Sequence, residues 1–179
     1  MLRPVSKKFF LTSILVLGLL GCTNSEVKSD DNSNNNLELD NTTFPIEMGT
    51  FTTDELFAAG GGGCPKGYRY AYGMSLWQPD TNPQQEGFLF FKGLEDTPAF
   101  MIFDGKITNL ARTNASGDKF YGQQTEQVFT TEDKAIAVKV NVDLGTEGEI
   151  ESVVILSGEI KVGTQGKTEK LYVVGDAGC

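Results

Sequence analysis

Alternate residues from Ile136 to Leu144 build one apolar face: Ile136, Val138, Val140, Val142 and Leu144, with Lys139, Asn141 and Asp143 opposite. A period of two puts successive side chains on opposite faces of an extended chain, so the segment predicts a strand with one buried face. Ile150, Val154, Leu156, Ile160 and Val162 are expected to share a second such face, with Gly158 marking a bulge, and Leu171 and Val173 continue the alternation. The connections Thr146-Glu147-Gly148 and Thr164-Gln165-Gly166 are short and carry glycine, as hairpin loops do. Parallel neighbours need a crossover of a dozen or more residues, usually a helix. No segment here supplies one, so the pairing is expected to be antiparallel.

The same pattern runs upstream. Tyr68, Tyr70 and Tyr72 alternate with Arg69, Ala71 and Gly73 before Trp77. Further strands are expected at 87–92, 99–103, 107–110 and 119–129. The first holds Phe88-Leu89-Phe90-Phe91, which covers both faces and predicts a buried strand. Asp104-Gly105, between Phe100-Met101-Ile102-Phe103 and Ile107 to Leu110, is a type I′ hairpin signal. Residues 113–118 read as a polar, glycine-containing connection. One short N-terminal helix is expected from Thr53 to Ala59, because Thr52 and Glu55 have capping-box spacing and Gly60 stops it. The fold class is therefore all-β: an antiparallel meander of about eight strands, closing as an up-and-down barrel, with a two-sheet sandwich as the alternative.

Composition removes several chemistries. The 179 residues include no histidine, which excludes a Ser-His-Asp triad, a Cys-His pair, a His-ligated zinc and a His switch. The net charge is −9, with a pI near 4.5, and nucleic acid would need a basic face. Gly60-Gly61-Gly62-Gly63 lacks the Lys-Ser/Thr ending of a phosphate loop. Asp30, Asp31 and the nearby asparagines lack the glycine and closing glutamate of a calcium loop. No cofactor and no metal are expected.

The N-terminus reads as an export signal. Arg3, Lys7 and Lys8 precede an apolar run from Phe9 to Leu20, which is too short to span a membrane as a mature helix. The run ends in Leu19-Leu20-Gly21-Cys22, which resembles the lipobox of bacterial lipoproteins. The resemblance implies that residues 1–21 are a signal peptide, removed before Cys22, and that Cys22 carries lipid on its thiol and amino group. The lipid, palmitate among its acyl chains, would make the membrane the first partner. Thr23 stands where an Asp signals inner-membrane retention in enteric bacteria, so the expected address is the outer membrane, periplasmic or surface-facing. From Thr23 to Thr42, 14 of 20 residues are Asn, Ser, Asp or Glu, too polar to offset their own ordering entropy. Residues 22–43 thus read as the lipidated Cys with a flexible acidic tether, its ends about 25 Å apart on average. Residues 44–179 are long enough for a single β-domain, with 11 cations against 19 anions.

Cys64 and Cys179 are the other two cysteines, and in an exported chain they are expected to form a disulfide. A reactive thiol is the competing reading, which needs a cation to lower its pKa, and Lys66 is near in sequence.

Without histidine, an enzyme would need paired carboxylates, a Ser-Lys dyad or a tyrosine. Glu147, Glu149, Glu151, Glu159 and Asp133 fall at outward or turn positions, which a solvated face explains. No catalytic residue is expected. Tyr68, Tyr70, Tyr72 and Trp77 have the character of ligand-lining residues: alternating aromatics can line a barrel mouth and stack on a sugar or apolar ligand. They can equally be the core face of the first strand.

A further stretch runs Asp104-Gly105-Lys106, Leu110, Ala115-Ser116-Gly117-Asp118-Lys119-Phe120, then Phe129-Thr130-Thr131-Glu132-Asp133 with Ala135. It is similar to the membrane-bound c-type lysozyme inhibitor family, over about 32 of the 136 residues from 44 onward. That resemblance implies a small lipid-anchored antiparallel barrel with a cysteine near each end. It also implies a loop whose serine, here Ser116 beside Gly117, enters the lysozyme cleft. A lysine of that family contacts the catalytic carboxylates; its position falls on Thr131 here, and the following glycine on Glu132. The acidic balance of the domain would steer it toward a basic lysozyme. The expectation is a lipid-anchored envelope β-domain that binds a protein or small ligand without catalysis. The alternatives are a lysozyme inhibitor acting through Ser116, Gly117 and Thr131, and a carboxylate-based envelope hydrolase.

Overall fold

The computed structural model describes residues 44–61, 73–94, 97–147 and 152–178, all within one compact unit. The expected signal peptide, Cys22, the tether, Cys64, Tyr68, Tyr70, Tyr72 and Cys179 lie outside the described residues.

Eight antiparallel strands close into a barrel. They are β2 (Gly73–Trp77), β3 (Phe90–Gly93), β4 (Ala99–Phe103), β5 (Lys106–Phe120), β6 (Gln123–Thr130), β7 (Ile136–Glu147), β8 (Ser152–Thr164) and β9 (Lys167–Gly178). Each pairs with the next along the chain, and β2 pairs with β9 to close the ring. A short strand β1 (Met48–Gly49) lies outside and pairs with the end of β4. The barrel, not the sandwich, is the architecture.

Alternation decides which side chains fill it. Met74 and Leu76, Phe90, Ala99 and Met101, Leu110, Phe129, Val138 and Val140, Ile160 and Val162, and Val173 form the main buried core. Phe90 and Phe129 meet there at 5.3 Å between ring centroids. The opposite parity of β3 and β4 sends Phe91, Phe100 and Ile102 outward, where Phe51 and Leu56 cover them in a second apolar cluster. Leu56 belongs to helix α1 (Thr53–Ala58), which begins as its sequence predicts. Glu55 N–H donates to the Thr52 hydroxyl, and the Glu55 carboxylate accepts from Thr52 N–H at 2.7 Å. Burying a leucine side chain is worth about 1.5–3 kcal/mol, so Leu56 is what pins α1 to the barrel wall.

Five expectations need correction, the last being that Val154 and Leu156 share the buried face of Ile160 and Val162. A second helix, α2 (Pro83–Glu86), occupies the start of the segment expected to lead into a strand; Asn82 caps it and Pro83 opens it. The strand expected at 87–92 begins only at Phe90, since Gly87 ends α2 and Phe88 makes a lone bridge to Phe51. Residues 113–118 are not a connection but part of β5, and Gly117 sits in a bulge between Ser116 and Lys119. The turn falls instead at Tyr121-Gly122, both at positive φ, which splits the expected strand 119–129. The bulge expected at Gly158 is present between Ile155 and Gly158, and it reverses parity on β8. Val153 and Ile155 therefore point inward, whereas Val154 and Leu156 are exposed, Leu156 at 64%. The Asp104-Gly105 hairpin is as expected, with φ of 49° and 73°.

Candidate functional site

The outer face of the β2–β9 seam, together with α1 and α2, encloses a cleft of about 950 Å³. β2 contributes Ser75 and Trp77, β9 contributes Asp176 and Gly178, and β8 contributes Ser152. The helix segment adds Thr52, Thr53, Asp54 and Phe57, while Pro83, Gln84 and Phe88 come from α2 and its exit. Outward parity explains the choice of strand residues, because Met74, Leu76, Val173 and Ala177 take the inward positions.

Three aromatic side chains, Phe57, Trp77 and Phe88, thus stand beside hydroxyls, an amide and two carboxylates. Trp77 is half-buried, and Phe88 braces it edge-on with centroids 6.1 Å apart and planes at 78°. Phe88 in turn leans on Phe51 at 6.2 Å, so the indole is tied to the second core.

Asp176 is the perturbed group. The residue is exposed, yet the cleft walls strip part of its hydration and push its carboxyl above the usual carboxylate range. No hydrogen bond or ion pair reaches its carboxylate from the described residues. Asp54 lies exposed in the first turn of α1. Among the described residues lining the cleft there is no lysine or arginine.

Of the described residues expected at a functional site, Trp77 alone reaches this cleft, on the outside of the barrel rather than at its mouth. Ser116, Gly117 and Thr131 are not brought together. Ser116 pairs in register with Glu126, and its hydroxyl donates to the Glu126 carboxylate at 2.9 Å. Thr131 lies five residues beyond Glu126, about 17 Å along an extended strand. It is buried in the β6–β7 turn, donating to Asp133 at 2.6 Å and accepting from Ile136 N–H at 3.1 Å. The Thr131 hydroxyl, then the Ala135 N–H, hold the Asp133 carboxyl below its usual range. Glu159 is also an outward, paired acid, bonded to Lys161 at 2.6 Å and Lys170 at 3.3 Å.

The sequence did not mark Phe57, Phe88, Asp54 or Asp176 as site residues, and it placed Phe88 in a buried strand. The cleft gathers them from segments more than a hundred residues apart, and no motif marks them. A second unread feature is Lys92, which follows Phe90 at inward parity and is buried with its ammonium donating to Gly93 C=O at 2.7 Å. Gln123 donates to the same carbonyl at 2.9 Å.

No group of three or more potential metal ligands occurs among the described residues, and none of their helices is long and apolar enough to cross a membrane. Comparison with family models, with curated proteins and with solved structures returns no match, so the residues themselves carry the functional argument.

Proposed function

We propose that this chain is a lipid-anchored protein of the bacterial envelope whose barrel captures a ligand in the α1–β2–β9 cleft without converting it. One observation carries the reading: a cleft of about 950 Å³ in which Trp77 is braced by Phe88 beside Asp176, which is exposed to solvent but partly stripped of hydration by the cleft walls. Concave sites with aromatic walls and a few convergent polar groups are where proteins hold small ligands and protruding side chains. The lipobox-like Leu19-Leu20-Gly21-Cys22 supports anchoring, and Thr23 supports the outer membrane as the address.

A second reading, carboxylate-based hydrolysis, is favoured by Asp54 and Asp176 lining the same cleft, one of them with a raised pKa. Binding is preferred because no described side chain orients either acid. Neither Asp54 nor Asp176 receives a hydrogen bond from the described residues, whereas acid–base catalysis needs groups held in place.

Two measurements test the proposal. Labelled palmitate should enter the chain in a bacterial host and fail to enter Cys22→Ser. Saturable changes in Trp77 emission should accompany ligands that are recovered chemically unchanged after prolonged incubation. Turnover abolished by Asp176→Asn or Asp54→Asn would replace the binding reading with the hydrolytic one.

A further inference from the structure

Asp176 stands opposite Ser75 across the seam, and Trp77 stands opposite Val174. Trp77 and Asp176 are therefore diagonal neighbours on one face, about 7–8 Å apart at the backbone. A group lodged between them can lie on the indole ring and against the carboxylate at once. The cleft supplies Asp54 as a second carboxylate and, among its described lining residues, no cation.

We propose that the cleft binds an organic cation, an ammonium or guanidinium on an apolar stem, with the charge between Trp77 and Asp176. This inference rests on the reading of the cleft as a binding site and names its ligand class. An indole face attracts a cation through its quadrupole, and the attraction grows when water is displaced. Phe57 and Phe88 offer apolar surface for the stem. A neutral ligand would fill the same space but would strip more water from the Asp176 charge, which no described residue pairs, whereas a cation neutralises it. The 19 anions against 11 cations from residue 44 onward add long-range attraction of the same sign. The cation belongs either to a free polyamine or to a Lys or Arg side chain of a protein partner.

Trp77 is the single tryptophan of the chain, so intrinsic emission reports on this cleft alone. The whole chain in a neutral detergent is titrated with cadaverine and agmatine, with N-acetyl-lysine methylamide and N-acetyl-arginine methylamide, and with chitotriose as the neutral probe. The expected result is a saturable emission change with the cations and none with chitotriose. Asp176→Asn should weaken cation binding about tenfold, the loss of one close charge pair in a partly desolvated site. Asp118→Asn removes one charge that does not line the cleft and should leave binding unchanged. Thermal unfolding confirms that Asp176→Asn is folded, and Asp176→Ser replaces it if it is not. Response to the diamines alone assigns a free polyamine, and response to the capped amino acids assigns a protein side chain. Saturation by chitotriose alone overturns the cation and leaves the binding cleft standing. Silence with every probe overturns both, and cation binding undiminished in Asp176→Asn overturns the assignment.

Discussion

Ser75 and Asp176 are register partners on the outer face of the β2–β9 seam, one buried and the other at the edge of the cleft, and no hydrogen bond joins their side chains. The carboxylate therefore loses hydration without gaining a partner among the described residues, and Asp54 is the other titratable group among the described lining residues. Burial raises the folded-state pKa above that of the unfolded chain. Ionisation thus favours unfolding: stability falls as pH rises past the ordinary aspartate value near 3.9 and levels off above the raised pKa. Asp176→Asn should raise Tm at pH 7 by about 1–2 °C, a modest amount because the side chain retains solvent. Below about pH 3 the carboxyl is protonated in both states, and the difference between parent and variant should disappear. A gain in Tm that persists unchanged at low pH would mean that desolvation is not its cause.

Closure of the barrel depends on Gly175. A Cβ built there meets the Ser75 carbonyl oxygen and lies 2.8 Å from Leu76 Cδ2, so β9 approaches β2 too closely for any side chain. Gly175→Ala should cost about 3 kcal/mol, the overpacking penalty where backbone must move. Gly163, on β8, is the control: its nearest neighbours would stand 3.8 Å from a Cβ. Gly163→Ala should be neutral or slightly stabilising, because only the unfolded chain loses freedom. Urea unfolding of the two variants measures the contrast, and equal midpoints would show that the seam yields more readily than its geometry implies.

What the sequence made legible was periodicity and local capping. The inward face of Val138, Val140 and Val142, the Thr52–Glu55 capping box and the Asp104-Gly105 hairpin all depend on residues within a few positions of one another. Two features escaped because they are choices among local alternatives. Both Gly117 and Gly122 suit a turn, and only pairing with β6 assigns the bulge to one and the turn to the other. Parity on β8 reads straight through Leu156 in sequence, whereas one extra residue opposite β9 reverses it in the fold. The cleft escaped for a different reason. Phe57, Trp77, Phe88 and Asp176 lie on three separate elements and the exit of α2, so nothing short of the closed ring places them together.

Lysozyme inhibition through Ser116 and Thr131 is expected to be absent. Ser116 is committed to Glu126, and Thr131 is buried in a turn about 17 Å further along the strand, so one protruding loop cannot present both. The charge of the chain will draw it to a basic lysozyme at low ionic strength, and 150 mM salt screens that attraction to about 8 Å. In a turbidity assay at that salt, excess protein should leave a c-type lysozyme active, and Ser116→Arg should behave identically. Inhibition that survives salt and disappears in Ser116→Arg would restore the inhibitor reading.

Cys64 and Cys179 flank the seam in sequence, one ahead of β2 and the other directly after β9. Gly61 N–H donates to Leu56 C=O at 2.9 Å, and Cys64 follows three residues later, a reach of at most about 10 Å. Gly178 pairs with Gly73 at the end of β9, and Cys179 follows directly. Leu56 and Gly178 both line the cleft. A disulfide between Cys64 and Cys179 would tie α1 and the end of β9 together across the seam that Gly175 closes. Alkylation of native Cys22→Ser chain under denaturing conditions should find no free thiol, and two after reduction. Cys64→Ser should lower stability by about 2–5 kcal/mol, as loss of a long-range bridge does, and a reductant should then have no further effect. Two alkylated thiols without reduction would return Cys64 and Cys179 to the status of free, separately reactive residues.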